Sequence, residues 1–341
     1  MPTDKWRIKD IRVDRLLGRR DVVWHLHPKV NILGGPNGSG KSTVLHAMAM
    51  LLQNICSENE ETSIHCEALF QSLVLDLYSG ATLSLKRDAE STEEHYSTSD
   101  TPGIQRVTDK IQERVSFKTG ISFPNGKPLM QTPCHVVYIH SSDQTLRRVT
   151  RLIEKTGMRA RPALTVLDML LEQALNERNQ LFAGRLTVAM QNGNEEEVSN
   201  LRQLFSRFDE AVSKFMPEYR LVDTSALKFI HRDSPDEIIR YYKMSTGEKQ
   251  LLYLLLTISN TLGESTILLL DEADTGMHVD WKKILLKELL NINPDMQVIA
   301  ATHSPSLING WYDNTREISQ LYVKTEKGEG EKLNDVPEIS E

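Results

Sequence analysis

The 341-residue chain carries a formal net charge of −7, with 39% hydrophobic and 26% charged residues, the balance of an ordinary globular protein rather than of a globally basic nucleic-acid binder. Its longest apolar run, Leu251 to Ile258, is far too short to cross a bilayer, and the opening MPTDKWRIKD has no apolar signal region. Cys56, Cys66 and Cys134 include no CxxC pair and read as reduced thiols of a cytoplasmic protein.

In chain order, residues 6–17 alternate in part and predict a strand or hairpin arm. Residues 21–33 lead a second strand into a glycine-rich turn at 34–40, after which Ser42 to Gln53 has a helical pattern rich in Ala, Leu and Met. Residues 54–68 read as loop. Two apolar runs around Ser79-Gly80 predict a hairpin. Residues 88–110 have little to bury and read as a mobile insertion. The strand 135–140 is followed by helices at about 163–191 and 195–215, split by the turn signal Asn192-Gly193-Asn194. This hairpin is expected to form a separate lobe between two α/β portions. Strand-like composition returns at 226–243. It is followed by a very apolar helix at about 246–262, a strand at 266–270, a helix at about 280–291 and a strand at 297–301. From Lys324 on, the charged tail reads as disordered.

Gly35-Pro36-Asn37-Gly38-Ser39-Gly40-Lys41-Ser42, followed by Thr43, fits GxxxxGK[ST] at every fixed position and sits between a predicted strand and helix. Its glycines let backbone N–H groups close around phosphate oxygens, Lys41 supplies a point charge, and the Ser42 hydroxyl suits Mg²⁺. ATP or GTP binding follows. The apolar strand Ile267–Leu270 ends in Asp271-Glu272. Beside the phosphate loop, Asp271 can hold the Mg²⁺ shell and Glu272 can act as general base.

Ser245-Thr246-Gly247-Glu248 opens the apolar helix as a capping box, and such an N-terminus also aims N–H groups and a positive dipole end at an anion. One side of the nucleotide is already cradled at 35–42, so the natural use of this second cradle is in trans, on ATP held by another copy. His303, in Ala301-Thr302-His303-Ser304-Pro305 after the last strand, suits a γ-phosphate contact that orients the water. Asp143-Gln144 follows strand 135–140. Gln144 is the candidate to touch Mg²⁺ or water there, with Gln131 as its competitor.

The ordered set GGPNGSGKST, MSTGEKQ, ILLLDEAD and ATHSP resembles ABC-ATPase heads of the SMC, RecF and OLD type, and GMHVDW at 276–281 is similar to a run in OLD-like bacterial AAA-family ATPases. The resemblance implies an α/β P-loop NTPase head of ABC type with an inserted helical lobe. Residues 1–145 and 225–320 would form the head, 146–224 the lobe, and 321–341 a disordered tail. It further implies ATP and Mg²⁺ as cofactors and an ATP hydrolase that dimerises head to head, or assembles further.

No second catalytic domain fits after His303, so such a head is expected to control a separate effector, a nuclease or toxin. That is the arrangement of ATPase components in anti-phage systems of the Septu-like, retron-associated and PARIS-like kinds. The alternative is a RecF-like ATPase that binds DNA in repair. Its support is the basic stretch Arg147, Arg148, Arg151, Lys155, Arg159 and Arg161, whose phosphate contacts would make binding steeply salt-dependent. A transporter nucleotide-binding subunit fits less well, because about 200 residues separate the phosphate loop from Ser245. Ala273-Asp274-Thr275 departs from the proline and glutamate frequent after the acidic pair.

Overall fold

The computed structural model describes residues 6–56, 69–87, 117–122, 134–140 and 165–323. The expected insertion at 88–110, the basic residues at 147–161, and Gln131, Asp143 and Gln144 lie outside the described residues.

A five-stranded sheet forms the centre, ordered β13-β3-β12-β11-β7 with every neighbouring pair parallel. Its strands are β3 (Val30–Gly34), β7 (His135–His140), β11 (Thr266–Asp271), β12 (Met296–Ala301) and β13 (Thr315–Glu317). Every residue of β11 and β12 is buried, which explains their near-continuous aliphatic runs: such strands are covered on both faces.

Alternate side chains belong to two different cores. Leu268, Leu270, Val298 and Ala300 pack with the helices α4 (Thr246–Ser259), α5 (Val279–Ile292), α2 (Val166–Gln191) and α3 (Glu195–Phe215). Ile267, Leu269, Ile299 and Ala301 pack with helix α1 (Lys41–Cys56). The same core takes in the inner residues of a six-stranded antiparallel sheet, ordered β14-β2-β1-β4-β5-β6. Those strands are β1 (Ile8–Leu16), β2 (Arg20–His25), β4 (Ser72–Leu77), β5 (Thr82–Arg87), β6 (Phe117–Ser122) and β14 (Tyr322–Val323). Helix α1 lies between two sheets, and α4 covers the opposite face of the central one. A third, three-stranded sheet of β8 (Tyr219–Asp223), β9 (Lys228–His231) and β10 (Ser234–Arg240) completes the fold.

Three expectations are corrected. The single strand expected at 21–33 is two strands in different sheets, separated at Pro28, which has no N–H to continue a ladder. Asn31 holds the bend, accepting from His27 N (2.6 Å) and donating to His27 O (2.7 Å). Buried Gln297 clamps the sheets across it, exchanging 2.8 Å bonds with the Ile8 backbone.

Helices α2 and α3 form the expected hairpin, with Gly193 in its turn at φ +62°, but the hairpin is not a lobe with a core of its own. Leu171, Ala174, Leu175, Phe208, Ala211, Val212 and Phe215 share the core beneath α4 and α5. Buried Lys249, in the first turns of α4, pairs with buried Asp168 of α2 at 2.7 Å. Further along α2, Arg178 is buried between Phe205 and Phe208, and burial pushes its pKa down to about 10.

Finally, residues 321–323 belong to the fold rather than to a tail. Tyr322 pairs with Val22, accepts from Arg20 Nη1 at 2.7 Å, and donates its hydroxyl to Ser39 O at 3.2 Å. No helix among the described residues is long and apolar enough to cross a membrane.

Candidate functional site

The loop at 35–40 joins β3 to α1 at the C-terminal edge of the parallel strands, where α/β proteins place their ligands. Gly35, Gly38 and Gly40 take φ angles of +141°, +74° and +99°. A Cβ on Gly35 would come within 2.9 Å of Ile318, and one on Gly40 within 2.9 Å of Leu16. Pro36, Asn37 and Gly38 are exposed at the loop's outer turn, whereas Ser39, Gly40 and Lys41 are buried and Ser42 and Thr43 are partly so. Lys41 Nζ donates to Gly35 O (2.7 Å) and Pro36 O (3.0 Å), so the ammonium lies within the loop's own curl. The buried Ser39 hydroxyl has no hydrogen-bond partner.

Parallel pairing of β3, β12 and β11 brings three strand ends together beside this loop. Ser42 Oγ donates to Asp271 Oδ1 at 2.9 Å, although 229 residues separate the two. Asp271 is fully buried. Glu272, next along, adopts φ +52°, a left-handed conformation that costs a residue with a Cβ on the order of 1 kcal/mol. Its N–H donates to Ala301 O at 2.9 Å, which docks the turn on β12. His303 Nδ1 lies 3.4 Å from Glu272 Oε1, and 58% of the His303 side chain is exposed. A cleft of about 430 Å³ lined by Gly34, Gly35, Pro36, Thr302, His303 and Tyr312 opens beside them.

Two residues that sequence reasoning passed over complete the surroundings of Asp271. His140 Nε2 lies 3.1 Å from Asp271 Oδ2, and the Tyr138 hydroxyl donates to the same oxygen at 3.3 Å. The signal was present in HVVYIH, a strand ending in a histidine. Only the pairing of Asp271 with His140 in neighbouring strands shows what that histidine meets.

Ser245, Thr246, Gly247 and Glu248 stand elsewhere. Ser245 is the N-cap of α4: its hydroxyl accepts from Glu248 N at 3.3 Å, and its own N–H donates to Glu248 Oε2 at 2.7 Å. Ser245 and Thr246 are exposed. Gly247 packs so tightly on the loop after β11 that a Cβ would stand 2.9 Å from Gly276 O. Gln250 Nε2 donates to Ala273 O at 2.8 Å. Asp274, where the sequence departs from its resemblance, turns inward to Thr302 Oγ1 (3.1 Å) and Lys282 Nζ (3.1 Å). This loop is therefore tied to α4, α5 and the end of β12 together.

The chemistry of the loop fits a nucleotide polyphosphate with Mg²⁺. Its glycine curl has no room for Cβ atoms at two positions, its lysine and a buried serine hydroxyl point inward, and one hydroxyl and one carboxylate stand side by side. Among the described residues no group of three His, Cys, Asp or Glu side chains gathers into an all-protein metal site. Mg²⁺ requires none, since it is held by one or two carboxylates together with substrate phosphates.

Residues 165–309 match the family model "AAA domain, putative AbiEii toxin, Type IV TA system". Over 81 residues the chain is 32% identical to "Retron Vc95 probable ATPase" of Vibrio cholerae serotype O1 biovar El Tor, a match spanning 20% of this chain and 16% of that protein. Among solved structures, an Smc head bound to the C-winged helix domain of ScpA aligns with a TM-score of 0.47 at 14% identity, over 89% of this chain and 91% of that one. The SMC head domain from Thermotoga maritima aligns at 0.42 and 15% identity, over 89% and 92% of the two chains. Residues 165–309 are thus similar to an AAA domain, and the α/β chain as a whole, with its motif order and a phosphate loop at the end of a parallel strand, resembles ABC-type ATPase heads.

Proposed function

We propose that the chain is a Mg²⁺-dependent ATPase whose active sites form between two copies, and that the nucleotide-bound dimer controls a separate effector protein in anti-phage defence. The observation that carries the composite site is the placement of its halves. Helix α1, with the phosphate loop at its N-terminus, covers one face of the central sheet, and α4, with Ser245 at its N-cap, covers the other. The two cradles thus belong to opposite faces of one sheet, and the exposed Ser245 and Thr246 are available to a second copy, which supports a site shared between copies.

In this reading the 35–40 backbone and Lys41 hold the β and γ phosphates, and Thr43 follows at the start of α1. Ser42 Oγ and Asp271 Oδ1 supply hard oxygen ligands. When bound, Mg²⁺ neutralises charge on the phosphate oxygens. Glu272 accepts the proton of the attacking water at Oε2, since Oε1 faces His303. His303 fixes the Glu272 carboxylate and presents its exposed ring edge to the γ-phosphate. The N–H groups of Thr246 and Gly247 in the other copy bring the positive end of a helix dipole, roughly half an elementary charge, to the same phosphate.

The effector half of the reading is supported by the similarity to a retron ATPase, which covers a minor part of either chain. A pull-down of Glu272→Gln with ATP and Mg²⁺ from the native host, with and without nuclease, tests it. A stoichiometric protein that survives nuclease supports effector control. DNA alone, released by nuclease or high salt, replaces it with the DNA-binding alternative.

A further inference from the structure

Asp271 is completely buried, and both of its carboxylate oxygens are engaged. Oδ1 accepts from Ser42, while Oδ2 faces His140 Nε2 at 3.1 Å and the Tyr138 hydroxyl at 3.3 Å. The geometry follows from two periodicities. Tyr138 and His140 are two apart on β7, so they share the face that looks toward α1, as do Leu269 and Asp271, which pair with them across the parallel ladder. Ser42 and His46 are four apart on α1 and share the helix face turned to that strand; the His46 and Tyr138 rings lie 5.9 Å apart. Tyr138 and His140 continue the row, with ring centroids 6.3 Å apart.

We propose that His140, backed by Tyr138, is a positioning residue for the Mg²⁺ of the nucleotide. By occupying Oδ2, the pair leaves Oδ1 as the oxygen directed at Ser42 and the metal. A carboxylate free to rotate about χ2 presents either oxygen and loses that freedom on binding the ion; one clamped by a ring nitrogen and a phenol has already lost it. Partners of this kind behind a metal ligand change metal affinity by about 10- to 100-fold when removed. Neither residue belongs to the glycine loop or the acidic pair, and their role is read from geometry alone. The inference rests on the nucleotide reading above.

The test is a Mg²⁺ titration of fluorescent ATP-analogue binding at equilibrium, with no turnover required, in wild type, His140→Leu, His140→Gln and Tyr138→Phe. His140→Leu is expected to raise the half-saturating Mg²⁺ concentration about 10-fold or more while leaving metal-free nucleotide affinity in EDTA unchanged. His140→Gln, which keeps an N–H donor, is expected to stay within about 3-fold of wild type, and Tyr138→Phe to fall between. Those shifts are a response that lost packing alone does not produce. A wild-type Mg²⁺ midpoint in folded His140→Leu and Tyr138→Phe overturns the inference, as does a His140→Gln midpoint as weak as that of the leucine variant. Absence of any Mg²⁺-dependent binding in wild type instead sinks the nucleotide reading itself.

Discussion

His303 Nδ1 lies 3.4 Å from Glu272 Oε1, so the two candidate catalytic side chains, carried on adjacent parallel strand ends, meet before any substrate is considered. Glu272 reaches this position through a left-handed backbone, φ +52°, and its N–H is anchored to Ala301 O. That bond fixes the turn on β12, and the carboxylate emerges beside the glycine loop rather than continuing along β11.

Glu272→Gln removes the base while keeping size and hydrogen bonding. Turnover, measured as phosphate release, is expected to fall by about 10²- to 10⁴-fold, with nucleotide affinity within a few-fold of wild type. Retained turnover assigns the base elsewhere.

Lys41→Ala takes away the one ammonium inside the loop curl. A charge-assisted contact contributes about 1.5–3 kcal/mol, so calorimetric ATP affinity is expected to drop about 10- to 100-fold. Because Lys41 Nζ, among the described residues, bonds the loop's own carbonyls at 35 and 36, the fold should persist, and circular dichroism checks this.

Gly247→Ala sets two effects against each other. Alanine improves helix propensity by about 1 kcal/mol, but its Cβ would stand 2.9 Å from the backbone oxygen of Gly276. Backbone carbonyls do not yield as a side-chain tip would, and overpacking costs about 1–3 kcal/mol, so net destabilisation is expected. A thermal melt equal to or above wild type would show that the 273–278 loop is free to move.

The Lys249–Asp168 pair gives a pH signature. Burial works to raise the Asp168 pKa, but the Lys249 contact and the two Thr165 bonds outweigh it and hold the carboxyl below its usual 3.8. A depressed folded pKa means stability that is present above the unfolded value and lost as pH falls through the folded one. Wild type should therefore lose stability below about pH 4 by this route. Lys249→Met, which leaves a buried carboxylate unpaired, should be less stable at pH 7 and show a flatter acid limb in urea melts from pH 3 to pH 7. Parallel wild-type and variant curves contradict the assignment.

How much of this was legible beforehand depended on how local each signal is. The glycine loop, the Ser245 capping box and the strand before Asp271 are contiguous in sequence, and each element lies within a few residues of its expected span. The capping box spans four residues and forms as its spacing predicts. What failed was long-range. Pro28 splits one expected strand between two sheets because Gln297, 270 residues away, clamps His27 across the bend. The hairpin reads as a separate lobe because it lies between two α/β portions of the sequence, a position that does not say which surface its helices cover. It is the head's own core. Tyr322 was assigned to a tail, yet its hydroxyl reaches the phosphate loop. His140 gave no motif at all, since its meaning depends on facing Asp271 across a parallel ladder.

If each active site combines the phosphate loop of one copy with Ser245 of another, two inactive variants should complement each other when mixed. Lys41→Ala lacks the loop charge, and Ser245→Arg fills the opposing cradle with a bulky cation. Each alone should be nearly inactive, while a heterodimer of the two contains one site with both halves intact. ATPase activity is expected to reappear on mixing, approaching about a quarter of wild type if copies pair at random and sites act independently. Turnover in Ser245→Arg alone at the wild-type rate, or no recovery on mixing of two variants shown to associate, would contradict a site shared between copies.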